Sequence, residues 1–183
     1  MRSMQARFFV VASLICFSVV ANSWAKCDEH YGLVHCAEGQ VESIHSNGVT
    51  IVEGSTVKGA TIINGDLTAK NAIFTDLSVN GVAKLDRCEI KSDSMINGSV
   101  ESNRSVFDKT ITLASNNSVF DQTRMDVIRV AKPAYDQPQV LYLKNKSFVN
   151  EIYFDSGQGI VYLSGDSSIG KIEGGKIIKE SQK

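Results

Sequence analysis

The dipeptide Asn-Gly occurs four times in near-constant phase, at Asn47-Gly48, Asn64-Gly65, Asn80-Gly81 and Asn97-Gly98, with spacings of 17, 16 and 17 residues. Asn and Gly both tolerate positive φ, so each pair marks a turn. A single pair closes a hairpin well. Four in phase mark one corner of a coil that the chain visits once per winding, and a fixed period of this length is the signature of a solenoid.

Laying the windings under one another, with Asn as the first position, extends the pattern. The eleventh position reads Val57, Phe74, Ile90, Phe107, and the ninth reads the small residues Ser55, Ala72, Cys88, Ser105. The fourth reads Thr50, Leu67, Ala83, Val100, and the sixth reads Val52, Ala69, Leu85, Ser102. Residues two apart share one side of a strand, and the jump between pairs turns a corner. A third pair is expected at Ala60/Ile62 and Leu77/Val79, with a one-residue slip at Asp93. Three short faces per winding predict an all-β chain wound as a single-stranded parallel β-helix. Roughly eight windings at ~4.8 Å each make a three-sided β-solenoid. A β-sandwich with hairpins at the Asn-Gly sites is the competing fold, and it leaves the small-residue column unexplained.

Beyond Phe107 the period changes while the character persists. Val140-Leu141-Tyr142-Leu143 returns as Ile160-Val161-Tyr162-Leu163. Between 131 and 139 lie both prolines, Pro133 and Pro138. Proline cannot donate to a strand ladder, so this segment is expected to loop out. The solenoid is placed at 41–179, with a tail at 180–183.

Residues 1–25 read as a cleavable export leader. Arg2 and Arg7 precede an apolar stretch from Phe8 to Val20, and Ser23-Trp24-Ala25 offers a cleavage site. The stretch is short for a membrane span of roughly 20 residues. The expected location is therefore periplasmic or extracellular, without stable membrane insertion. In an oxidising compartment Cys27 and Cys36 form the natural disulfide, stapling an N-terminal cap over 26–40. Cys88 stands in the small-residue column and is expected to be an inward, inert thiol.

With 19 basic and 20 acidic residues, the chain has no electrostatic reason to bind nucleic acid. Losing the leader removes two arginines and no acid. Candidate chemistry is sparse. His30 and His35, with the two cysteines and nearby His45, are the one cluster suited to zinc or copper, but their spacing fits no standard pattern and export favours the disulfide. Asp121 and Asp126, with Arg124 between them, resemble a carboxylate pair and read more simply as solvated corners. Ser164-Gly165-Asp166-Ser167 is turn composition, with no nucleophile elbow. No catalytic residue and no cofactor is expected. Thr110-Ile111-Thr112 is a single copy of a triplet that ice-binding solenoids repeat. Four Asn-x-Ser triplets, beginning at Asn97, Asn103, Asn116 and Asn145, match the glycosylation acceptor. Tyr142 and Tyr162 lie in register, and with Tyr135 they form a binding surface if they point outward.

The columns at 16–17 residues per winding over 47–113 make the chain resemble the bactofilin-type polymer-forming β-helices. Gly65-Asp66-Leu67-Thr68-Ala69 and Thr75-Asp76-Leu77-Ser78-Val79 resemble pentapeptide repeats. The resemblance implies a parallel β-helix and an assembly role, and it supplies no site residues. The expected function is that of an exported, non-catalytic structural or interaction protein of the bacterial envelope or secreted fraction. Its partner is a protein or a polysaccharide, and end-to-end self-association is allowed. Lys176, Lys179 and Lys183 at the last edge guard against stacking in the simplest reading. The alternatives are a carbohydrate-binding or carbohydrate-active protein using the 131–139 loop and the tyrosines, and a metal-handling protein using the N-terminal Cys/His cluster.

Overall fold

A computed structural model describes residues 27–134 and 137–180. The expected leader, Tyr135 and Lys183 lie outside the described residues. Every described element is a strand, and the chain is a three-sided parallel β-solenoid. On the first face Val34 pairs with Thr50, and the same register column continues through Leu67, Ala83, Val100, Ser118, Leu141, Val161 and Ile177. That column counts nine rungs, one more than the sequence suggested, because Leu33–Cys36 inside the expected cap is itself the first rung.

The second face stacks Val41, Val57, Phe74, Ile90, Phe107, Met125, Val149 and Ile169. All but the last are buried. Alternation is strict where the chain is straight: Gln139, Leu141 and Leu143 are buried, while Val140 and Tyr142 between them are half-buried on the outer side. The inward files close into one continuous apolar core. Phe107 and Phe120 meet edge to face there, with centroids 6.3 Å apart. Such a geometry suits two aromatic quadrupoles.

The third face corrects one expectation. Thr61 and Ile63 point inward in the first winding, not Ala60 and Ile62; Ile62 is exposed. Thr61 stands beside Leu77 and Ile63 beside Val79, because the register shifts between Val57 and Ala60. The extra residue of a 17-residue winding is thus absorbed at the corner between the second and third faces. The same corner recurs at Asp93, whose carboxylate accepts the Thr110 N–H at 3.0 Å.

The other two corners have distinct chemistry. At one, Asn47, Asn64, Asn80 and Asn97 stack their amides, each Nδ2 donating to the preceding Oδ1 at 2.7–2.8 Å. The following glycines approach so closely that a Cβ on Gly65, Gly81 or Gly98 would lie 2.0–2.1 Å from the carbonyl oxygen of the glycine one rung back. At the other, the residue before the small-residue file takes a left-handed φ of 48–70° in every winding from Gly54 on, at Gly54, Asn71, Arg87, Arg104, Gln122, Lys146 and Asp166, joined in the last two by Asn145 and Gly165. In that file the Ser105, Ser147 and Ser167 hydroxyls accept the N–H of Cys88, Thr123 and Ser147, respectively, at 3.0–3.2 Å. Buried backbone donors that the turn would orphan are satisfied this way, which is why the file holds hydroxyls and small side chains.

The N-terminal strand Cys27–His30 folds back antiparallel on Leu33–Cys36, and Cys27 is bonded to Cys36. It covers the first-face edge of the first rung, which would otherwise present an open ladder there.

Candidate binding face

The outward side chains of the first face change character along the rod. In register column they read His35, Ile51, Thr68, Lys84, Glu101, Val119, Tyr142, Tyr162 and Ile178. The neighbouring outward file ends in Asn117, Val140, Ile160 and Lys176. The last rungs therefore carry an apolar, aromatic patch, edged by Lys144 and Lys176. Tyr142 and Tyr162 stack with centroids 5.1 Å apart and planes 11° from parallel, and the Lys144 ammonium lies 5.8 Å from the Tyr142 centroid. In-register pairing sets this geometry: strands spaced at ~4.8 Å hold equivalent rings at nearly stacking distance. Each ring covers one face of the other, so the stack presents ring edges and hydroxyls outward. Such an arrangement suits protein contact better than the flat platform on which a sugar ring lies.

Beside the patch, Pro138, Gly157, Gln158, Gly159, Ile160 and Lys176 line a groove of about 580 Å³. The loop excursion approaches the patch from this side, since Gln139 pairs with Gly159 and Val140 with Ile160. Gln139 anchors the base of the loop: its buried side chain donates to the Ala131 carbonyl at 2.6 Å. Tyr153 belongs to a different surface. It sits outward on the third face, donates to Glu151, and lies 5.4 Å from the Lys171 ammonium. The Glu151 carboxylate holds its phenol above the ordinary range.

The other candidates are dispersed. His35 is exposed on the first face, 3.7 Å from Glu53, while His45 is exposed on the third and His30 ends the antiparallel strand. Among the described residues no group of three or more His, Cys, Asp and Glu could hold a metal. Asp121 ends the first-face strand Asn117–Asp121, whereas Asp126 lies one corner further on, in Arg124–Val130. Asp121 accepts both contacts from Asn145, at 2.9 and 3.0 Å, and Asp126 one from Asn150 at 3.3 Å. Arg124 is instead grouped with Asp108, Asp126, Phe148 and Asn150 in a second groove, which sequence reasoning missed because Asp108 and Asp126 are a winding apart. Cys88 is buried, and burial pushes its thiol up to about 11. A thiol so raised is protonated at neutral pH and a poor nucleophile.

No helix among the described residues is long and apolar enough to cross a membrane. In comparisons with protein-family models, curated proteins and solved structures, nothing matches the chain. What its own geometry establishes is the class: a three-sided parallel β-solenoid of about nine turns with a disulfide at its N-terminal end.

Proposed function

We propose that this chain is an exported, non-catalytic interaction protein of the bacterial envelope or secreted fraction, a rigid rod that presents the Tyr142–Tyr162 face to a protein partner. The outward aromatic stack carries this reading. Tyrosines in register with Val119 and Ile178, flanked by Val140 and Ile160, make a contiguous apolar strip where the earlier rungs present Thr68, Lys84 and Glu101. Interfaces favour tyrosine because it offers a large apolar contact and a polar tip at small entropic cost. The disulfide between Cys27 and Cys36 fits an oxidising compartment.

A carbohydrate partner is the second reading, favoured by the groove beside Pro138 and Gln158. Photo-crosslinking separates the two. A photoreactive residue at Tyr142 or Tyr162 is expected to give one discrete protein adduct in intact cells, and the same residue at Ile73, on the outside of the second face, none. Equal labelling at Ile73 rejects the tyrosine face. Binding in a cell-wall and capsule polysaccharide panel, lost in Tyr142→Ala and Tyr162→Ala, transfers the role to sugar. Export itself is tested by fractionation of cells producing the full chain, where retention of uncleaved protein in the cytoplasm rejects it.

A further inference from the structure

The two ends of the rod are not equivalent. At the N-terminal end the inward side chains of the first rung, Val34, Cys36, Val41 and Ile44, are all buried. At the C-terminal end the same files stop in the open. Ile169 and Ile172 are only partly buried and Ile177 is 41% exposed, whereas Val149, Ile152 and Val161, one rung back, are fully buried. Strand Gly175–Lys179 pairs with Gly159–Leu163 on one side and with no described strand on the other. An exposed strand edge over an exposed core file is a template for pairing.

We propose that this end pairs with the same end of a second copy, closing a two-fold, tail-to-tail dimer through antiparallel Gly175–Lys179 strands. The strand is self-complementary on its outward side, while its inward file reads Gly175, Ile177, Lys179, the last in register with the buried Leu163. The strand runs from the corner at Gly174 to Glu180, whose N–H still donates to the Leu163 carbonyl, so its midpoint is Ile177. A two-fold axis there lays one triangular end over the other. Ile177 falls beside the partner's Ile177, inward beside inward. Outward, the strand reads Lys176, Ile178, Glu180: positive, apolar, negative. Reversed against itself, it sets Lys176 opposite the partner's Ile178. Glu180 then lies one diagonal step from the partner's Lys176, within reach of long side chains. The edge lysine thus finds a carboxylate twice per interface. A two-fold interface uses the same edge of both copies, so pairing through it closes at two; at the opposite end the antiparallel strand covers the first-face edge.

Sedimentation across a concentration series tests this on the purified protein. The wild type is expected to reach the dimer mass and no higher. Lys176→Glu is expected to weaken the dimer by roughly tenfold, since two symmetry-related charge pairs turn repulsive at once. The double change Lys176→Glu with Glu180→Lys is expected to restore it. Ile177→Cys is expected to cross-link to itself on oxidation, because directly opposed residues of antiparallel strands hold their Cα atoms about 4.5–5.5 Å apart, inside disulfide range. Circular dichroism of each variant checks that the coil is intact. A wild type that stays monomeric overturns the proposal and leaves the lysines as guards of the edge. So does a ladder of species beyond the dimer, a dimer indifferent to the charge reversal, or Ile177→Cys that does not link.

Discussion

Replacing Gly81 by alanine tests whether the glycine file is there for space. A Cβ at this position would stand 2.1 Å from the Gly65 carbonyl oxygen, more than 1 Å inside ordinary contact. That oxygen is backbone, so neither side can yield by turning a side chain. The rungs must part locally, and Gly81 itself has φ 153°, which L side chains rarely adopt. Backbone strain of about 1–3 kcal/mol and one or two weakened ladder hydrogen bonds at about 1 kcal/mol each bring the expected loss to about 3–4 kcal/mol. At a urea dependence of about 2 kcal/mol per molar, the unfolding midpoint falls by about 1.5–2 M. Gly157→Ala is the matched control. It has positive φ, 73°, but nothing within 4 Å of its added Cβ, so only the conformational cost of about 1 kcal/mol remains. Equal midpoints for the two variants, read by circular dichroism in urea, would refute the close-approach argument.

Four further outcomes follow from other parts of the coil. Reducing the Cys27–Cys36 bond, which spans 9 residues, is expected to cost about 2.5 kcal/mol by loop entropy, read as a lower melting temperature in reductant that Cys27→Ser with Cys36→Ser reproduces without reductant. Gln122→Gly relieves a left-handed residue at φ 48° and is expected to raise stability by about 0.5–1 kcal/mol; a loss in urea titration would count against the corner geometry. Thr61→Val removes a buried hydroxyl with no partner among the described residues and is expected to stabilise by about 1 kcal/mol, measured the same way. Cys88 keeps its proton to about 11 in the fold against 9.0 for a free thiol. The unfolded chain therefore binds fewer protons between those values, so stability falls as pH rises through that window. Cys88→Ala is expected to flatten that slope in pH-dependent melts, and an unchanged slope rejects the assignment.

Much of this coil was legible because its signals are columnar. Val57, Phe74, Ile90 and Phe107 are apolar, in phase and stacked in fact, and Ser55, Ala72, Cys88 and Ser105 betray their file by size alone. Thr61 was misread because its hydroxyl argues for the outside while Ile62, one residue on, argues for the inside. Only the register with Leu77, set by where the corner absorbs its extra residue, decides between them. The left-handed corner was hidden for a different reason. Gly54 and Asn71 announce it, but Arg87, Arg104 and Gln122 hold the same conformation with side chains that carry no turn signal. There the stacked neighbours impose the backbone, a constraint that becomes visible only once the windings are superposed. For the candidate face, the register of Tyr142 with Tyr162 could be read from the repeat itself. Their outward direction depends on Leu141 and Leu143 being inside, and an isolated Val-Leu-Tyr-Leu block does not say which set is buried. Tyr153 illustrates the limit, since nothing local tells that it turns to another face.

Winding length varies widely: equivalent residues lie 16 apart between Asn64 and Asn80, 20 apart between Ser147 and Ser167, and 24 apart between Thr123 and Ser147. The three faces keep their pairing throughout, so the surplus residues gather at the bends, above all at the one between the strands that end at Val130 and begin at Gln139. A coil built this way separates its scaffold from its ornament. Peptides of different length and sequence can be spliced into that bend and displayed next to the tyrosines while every core file stays in step, which makes the bend the natural site for both diversification and grafting.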